Sequence, residues 1–316
     1  MTEPVDERLI LELARSAGGS LPSSVEIPPG DDMAMIRLSS SRLLVAADQT
    51  IAGVHFTPET PLHLVGRKAV ARNVSDVAAM AAHPVATLAC ATIPGSMSEA
   101  DATALFHALT NAANEFGCPL IGGDTTVDPR LDARLALAIT ILAEPRADGI
   151  VVTRSGAREG DTIIVSGRIG GAFGRDGLGH HLTFAPRVRE AHALVDALGA
   201  NVHAMIDISD GVALDLSRIL NASGEARGHA LAARLRAESI PLREGATLPT
   251  ALGDGEDYEL LAAIAPGSAL PSGWTAIGTV TTRMGSTAPS VTLVLDGVDH
   301  DVSHLGFRHD PQARHG

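Results

Sequence analysis

The sequence predicts a two-domain α/β protein with strands and helices mixed along the chain, and three observations carry that expectation. At 316 residues the chain can bury two cores of ordinary size. Short apolar runs of strand length alternate with longer runs at helical spacing. The composition also shifts at 145–149, where a charged, glycine-containing link separates two such alternations, so the expected domains are 1–148 and 149–316. Hydrophobic residues make up 45% of the chain but aromatics only 3%, so the cores must be built from closely packed Ala, Val, Leu and Ile.

Taken in order, residues 4–17 place Leu9, Ile10, Leu13, Ala14 and Ala17 at helical spacing before Gly18-Gly19 stops the pattern. Pro28-Pro29-Gly30-Asp31-Asp32 forms a turn into 33–38 and 42–47, two apolar segments that read as paired strands, with Asp48 at the end of the second. Residues 61–80 read as a helix carrying Lys68, Arg72 and Asp76 at successive i, i+4 positions, a stripe whose plain reading is solvated ion pairs. Within it, Asn73-Val74-Ser75-Asp76 interrupts an alanine-rich pattern whose small side chains let other backbone approach. This stretch is the expected centre of the molecule. A strand to 94 and a helix over 98–116 follow, then a short buried strand at 119–121 that delivers Gly122-Gly123-Asp124-Thr125-Thr126. Residues 135–144 are almost uninterruptedly apolar, which predicts burial on both faces.

In the second half, 154–161 is a polar loop, 162–166 a strand, and 167–179 a glycine-rich stretch whose backbone could approach phosphates. A helix over 186–198 and a strand over 204–208 lead to Ser209-Asp210-Gly211 and a helix over 212–220, with Ser209 and Asp210 as its expected capping residues. Gly255-Glu256-Asp257-Tyr258-Glu259 holds the only tyrosine and is hard to explain as strand packing. Residues 261–264, 274–280 and 291–295 read as further strands, with Thr281-Thr282 opening a turn and the tail from 308 loose.

The formal net charge of −13 argues against nucleic acid or an anionic membrane as the main partner. Cys90 and Cys118 lie in apolar runs without metal-ligand spacing, the first residues lack signal-peptide order, and the apolar run 77–93 is broken by His83-Pro84. A cytoplasmic protein is expected. Its carboxylates in glycine-rich or polar settings, Asp32, Asp48, Asp76, Asp124, Asp207 and Asp210, are hard oxygen donors of the kind that hold Mg²⁺ with nucleotide phosphates. Positive help for phosphates comes mostly from arginine, because Lys68 is the only lysine.

From Gly30-Asp31-Asp32 to Phe307, the motifs and their order resemble the thiamine-monophosphate kinase family, within the ATP-binding superfamily that includes aminoimidazole ribonucleotide synthase and selenophosphate synthetase. The resemblance implies a homodimer whose N-terminal mixed sheet pairs with that of a second subunit in a shared barrel, and a C-terminal α/β domain that completes the ATP site. It implies direct in-line transfer of the γ-phosphoryl of ATP to thiamine monophosphate. Carried over motif by motif, Asp32, Asp48, Asp76, Asp124, Asp207 and Asp210 would hold Mg²⁺, with Asp76, Asp124 and Asp210 closest to catalysis. His107, Gly123, Asp124, Arg154 and Ser209 would contact ATP, and His55, Glu256, Asp257 and Phe307 would face thiamine monophosphate. Two departures stand out: Ala46-Ala47 replaces hydroxyl residues before Asp48, and Pro28-Pro29 replaces a more flexible entry to Gly30. The rival readings are a sister enzyme of the superfamily, of which selenophosphate synthetase would be expected to show a reactive cysteine or selenocysteine close to an N-terminal lysine that this chain does not have near residue 20, and a non-catalytic nucleotide-binding scaffold, motivated by the two alanines.

Overall fold

The computed structural model describes residues 21–28, 30–130, 132–174, 176–282 and 290–307; the helix expected over 4–17 and the tail from 308 lie outside them. Strands β1 (Val25–Ile27), β2 (Ala34–Arg37), β3 (Arg42–Ile51), β4 (His83–Pro94), β5 (Leu120–Asp128) and β6 (Ala136–Glu144) form one mixed sheet in the order β1-β2-β3-β6-β4-β5. Helices α1 (Leu62–Ala79) and α2 (Glu99–Glu115) accompany it. All its pairings are antiparallel except β4 with β5. Those two strands are joined through α2, since parallel neighbours need a crossover. Ser98 starts α2 by accepting the amide of Asp101, with Glu99 and Asp101 at the positive end of the helix.

Three expectations change here. Asp48 lies inside β3, because the strand continues to Ile51 in register with β6. The short buried strand expected at 119–121 is a nine-residue edge strand that absorbs Gly122 to Thr126, with Ile121 to Val127 exposed. A strand with a ladder partner on one side needs backbone more than apolar side chains, which is why two glycines and an aspartate fit there. β6 alternates buried and half-buried residues, so only one of its faces is fully buried despite its apolar sequence.

The second mixed sheet holds β7 (Thr162–Ser166), β8 (Val202–Asp207), β9 (Leu231–Arg236), β10 (Leu260–Ile264), β11 (Trp274–Thr282), β12 (Ser290–Leu295) and β13 (Val298–Asp301), in the order β13-β12-β9-β11-β7-β10-β8. Helices α3 (His180–Thr183), α4 (Val188–Leu198), α5 (Val212–Arg227) and α6 (Leu248–Gly253) belong to this half. Thr281 and Thr282 are part of β11 rather than a turn. The N-cap of α5 is Gly211, with no side-chain capping bond, so neither Ser209 nor Asp210 is a cap.

Helix α1 lies between the two halves. Val65, Val70, Val74 and Val77 pack with Leu137, Ile139 and Ile141 of the first sheet. Ala78, Ala79 and Ala81 pack with Ile164, Leu194, Met205 and Leu260 of the second half. Lys68, Asn73 and Ser75 are also buried. Small residues at its C-terminal end let both halves approach, and this puts the polar face of α1 at their junction.

Candidate active site

The junction gathers acids from distant parts of the chain. Asp32 comes from the turn before β2, Asp76 from α1 and Asp207 from the end of β8, and one carboxylate oxygen of each lies within 4.8 Å of the other two. At that separation each ionised pair repels by about 3 to 4 kcal/mol in a protein-like dielectric. Burial, followed by the charge of Asp32, pushes Asp207 up to about 8 even though Ser75 Oγ donates to it at 2.7 Å. Burial, then Asp48, Asp207 and Asp32, raises Asp76 well above the usual carboxylate range. All-oxygen donors crowded at this spacing, with their charged forms destabilised, fit a hard divalent cation.

Arg154 closes one side of the cluster. Its guanidinium grips Asp32 through Nε at 3.1 Å and Nη2 at 2.7 Å, while its backbone amide donates to the carboxylate of Asp31 at 3.0 Å. Burial and the neighbouring Asp32 raise Asp31 to about 6. Asp48 is half-buried, accepts an ion pair from Arg72 Nη2 at 3.5 Å, and has its amide on Asn73 Oδ1 at 3.2 Å. Asp210 pairs with Arg218 Nη1 at 2.6 Å, and the same nitrogen reaches Asp215 Oδ1 at 2.6 Å. Asp124 and Gly123 lie on exposed β5, and His107 is exposed on α2. Among the described residues, the grouping with metal-ligand geometry brings together three of the six expected acids, leaving out Asp48, Asp124 and Asp210.

A second cluster forms around Lys68, which is fully buried. Its Nζ donates to His55 O at 2.5 Å and Glu256 Oε2 at 2.5 Å, and stands 2.9 Å from His181 Nδ1. Burial lowers the Lys68 pKa to about 8, with Glu256 opposing that shift. Burial works to raise Glu256, but His181, Lys68 and Arg72 outweigh it and hold its carboxyl at about 2. Asp257 turns the other way: it is buried and accepts from the amide of Gly170 at 2.9 Å and from Arg243 Nη1 at 2.7 Å. The glycine-rich loop expected to approach phosphates therefore spends that amide on the protein itself.

The backbone enforces this division. Glu256 and Tyr258 adopt positive φ of 54° and 51°, which non-glycine residues occupy at a cost and which concentrates at functional sites. Tyr258 is anchored by stacking on Phe184, with ring centroids 4.1 Å apart. Ser209 is half-buried, and its carbonyl accepts the amide of Glu256 at 2.7 Å. Phe307 is 39% exposed, with its amide on Asp210 O at 2.8 Å.

The sequence left Lys68 and Arg72 as a stripe whose plain reading was solvated ion pairs, and did not single out His181, Asp215 and Arg218, which the structure sets beside Glu256 and Asp210. The signal for the first two was present in their spacing from Asp76. That i, i+4 run shares its stretch of helix with Asn73 and Ser75, which are buried, so its face turns to the protein rather than to solvent.

Similar proteins carry the same architecture. Residues 30–144 match the family model of AIR synthase related protein, N-terminal domain. The chain is 35% identical over 298 residues to thiamine-monophosphate kinase of Rhodopirellula baltica, with 88% of each chain covered. The chain belongs to the thiamine-monophosphate kinase family. A solved family member from Stenotrophomonas maltophilia K279a is 28% identical, with 93% of this chain and 98% of that one covered and a TM-score of 0.66. A structure of AaThiL complexed with AMPPCP and TMP shares the fold, with a TM-score of 0.79 over 98% of this chain and all of that one at 23% identity.

Proposed function

We propose that this chain transfers the γ-phosphoryl of ATP to the phosphate of thiamine monophosphate, giving thiamine diphosphate and ADP. The observation that carries the reading is the convergence of Asp32, Asp76 and Asp207 at the junction of the two halves, in a chain 35% identical to a thiamine-monophosphate kinase. An oxygen of the acceptor phosphate attacks the γ-phosphorus in line, and the bond to the β,γ-bridging oxygen breaks, leaving its electron pair on ADP.

Asp32, Asp76 and Asp207 would hold Mg²⁺, with Asp48, Asp124 and Asp210 as further ligands around the triphosphate. Bound there, Mg²⁺ supplies charge neutralisation where two phosphorylated reactants meet. His107, Gly123, Arg154 and Ser209 serve ATP, and His55, Glu256, Asp257 and Phe307 serve thiamine monophosphate. Glu256, held ionised at the Lys68 cluster, is suited to face a cationic thiazolium, whereas Asp257 shapes the pocket through Gly170 and Arg243. The working division is 1–148 for metal, nucleotide and dimer contacts and 149–316 for completing the site. The reading also makes the protein a cytoplasmic homodimer; no described helix is long and apolar enough to cross a membrane.

The test follows ADP and thiamine diphosphate together with Mg²⁺, ATP and thiamine monophosphate, omitting each in turn. Equal amounts of both products are expected. ATP binding without thiamine diphosphate would point instead to a sister activity or a scaffold. In the same assay Asp76→Asn should lose at least about 100-fold in kcat with its fold retained, because it removes a ligand's charge with little change of shape; near-normal turnover would remove Asp76 from the chemistry.

A further inference from the structure

The polar face of α1 places three charges one turn apart. Lys68 holds the substrate-side groups Glu256 and His55 O, and Asp76 belongs to the acid cluster. Arg72 lies between them, about 6 Å along the helix from each. Its Nη1 donates to Gln49 O at 2.7 Å, and its Nη2 stands 3.5 Å from Asp48. Its Nε is enclosed and, among the described residues, has no hydrogen-bond partner. The side chain is 13% exposed. Burial opposes its charge, but Tyr258, Asp48, Glu256 and Asp76 outweigh burial and raise its pKa, so the guanidinium stays protonated.

Buried N–H groups are nearly always paired, and a guanidinium offers five donors in a fixed fork suited to phosphate. Among the described residues the Arg72 guanidinium makes one short hydrogen bond, to Gln49 O, and its ion pair to Asp48 is long. A neutral or purely structural side chain would not bring a permanent cation to a site whose other ionisable groups are mostly acids. The position is also chemically particular. A phosphate joined to a ring held near Glu256, and reacting beside Asp76, has to pass the middle of this helix face.

We infer that Arg72 is a phosphate-binding residue of the site, receiving the acceptor phosphate between Glu256 and the three-aspartate cluster, and that its charge competes with divalent cations at that cluster. This deepens the proposed function and rests on it for the identity of the phosphate ester. The competition with cations follows from placement alone.

The two parts predict effects of opposite sign in one variant. Arg72→Gln should bind Mn²⁺ in the absence of nucleotide about fivefold more tightly than the wild type, because a cation near the acids is gone. It should raise KM for thiamine monophosphate about tenfold or more, the loss of a charge-assisted hydrogen bond, while KM for ATP changes by less than about threefold. Arg72→Lys keeps the charge without the fork, so its Mn²⁺ affinity should match the wild type while its KM for thiamine monophosphate stays raised. Calorimetric titration with Mn²⁺ and initial rates read these effects, with circular dichroism confirming each fold. Mn²⁺ binding that fails to tighten in Arg72→Gln, or KM values for the two substrates that rise equally, overturns the inference. A wild-type protein that makes no thiamine diphosphate refutes the proposed function separately, and the Mn²⁺ comparison still decides the placement of the charge.

Discussion

Glu256 combines three features that rarely coincide at one carboxylate: a left-handed backbone, a buried lysine partner and a depressed pKa. Its ordinary pKa is 4.5 and its folded value is about 2, so the unfolded chain binds the proton more tightly. Its contribution to stability is therefore complete above about pH 4.5 and is lost as pH falls towards 2. Glu256→Gln removes that dependence. Thermal melts at steps between pH 5 and 2.5 should show a shallower decline for the variant than for the wild type; parallel slopes would refute the assignment. At neutral pH the variant should be less stable by on the order of 3 kcal/mol, since Lys68 loses its counter-charge inside the protein. The same residue shows what sequence alone could convey. That Gly255-Glu256-Asp257 was a candidate site could be read from acids beside glycine and the lone tyrosine, but which acid faces Lys68 depends on two positive φ angles that no sequence pattern announces.

At the scale of elements, α1 and the strands beside it were readable because period and length agree: an 18-residue helix and two apolar strands announce themselves. β5 was not, because Gly122-Gly123-Asp124-Thr125-Thr126 carries turn residues and takes its strand form from pairing with β4. β9 escaped for a related reason, its Leu231-Ala232-Ala233-Arg234 having no clear alternation in an alanine-rich context. The acids were found individually, but their division into a tight trio and three outliers needed the packing of both halves on α1. The β5 pairing yields a contrast between adjacent glycines. A Cβ on Gly123 would fall 1.8 Å from Ala89 O, and φ there is +150°, whereas a Cβ on Gly122 would meet Leu88 Cδ2 at an ordinary 3.7 Å. Gly123→Ala should therefore force β5 off β4, costing about 2 kcal/mol or more, while Gly122→Ala stays within about 1 kcal/mol. Urea unfolding of the two variants checks this, and equal midpoints would mean the close approach is not constraining. If Asp124 serves the site from this strand, only Gly123→Ala should also lose turnover.

At the scale of the whole molecule, the first sheet ends on an edge that a lone chain leaves costly. β5 presents Ile121 at 62% and Val127 at 60% exposure, on a strand with a ladder partner on one side only. Beyond β4 in the same sheet, one face of β6 is also only half-buried, although it carries Ala136, Ala138 and Leu142. Exposed edges of this kind invite pairing with another chain, and soluble proteins usually blunt them with charge or proline. Asp124 charges one face of β5, but on the face that carries Ile121 and Val127 the residues between them, Gly123 and Thr125, are uncharged, which supports a second copy of the chain as the partner. Light scattering during gel filtration should then give twice 32.5 kDa for the wild type. Ile121→Lys with Val127→Lys places two like charges on the strand and should give the monomer mass. Because Gly123 and Asp124 lie between those positions, the monomer should also bind ATP more weakly while keeping its helical circular dichroism. A monomeric wild type would remove the shared-sheet arrangement; a double variant that becomes monomeric with ATP binding unchanged would retain the dimer but detach β5 from the nucleotide site.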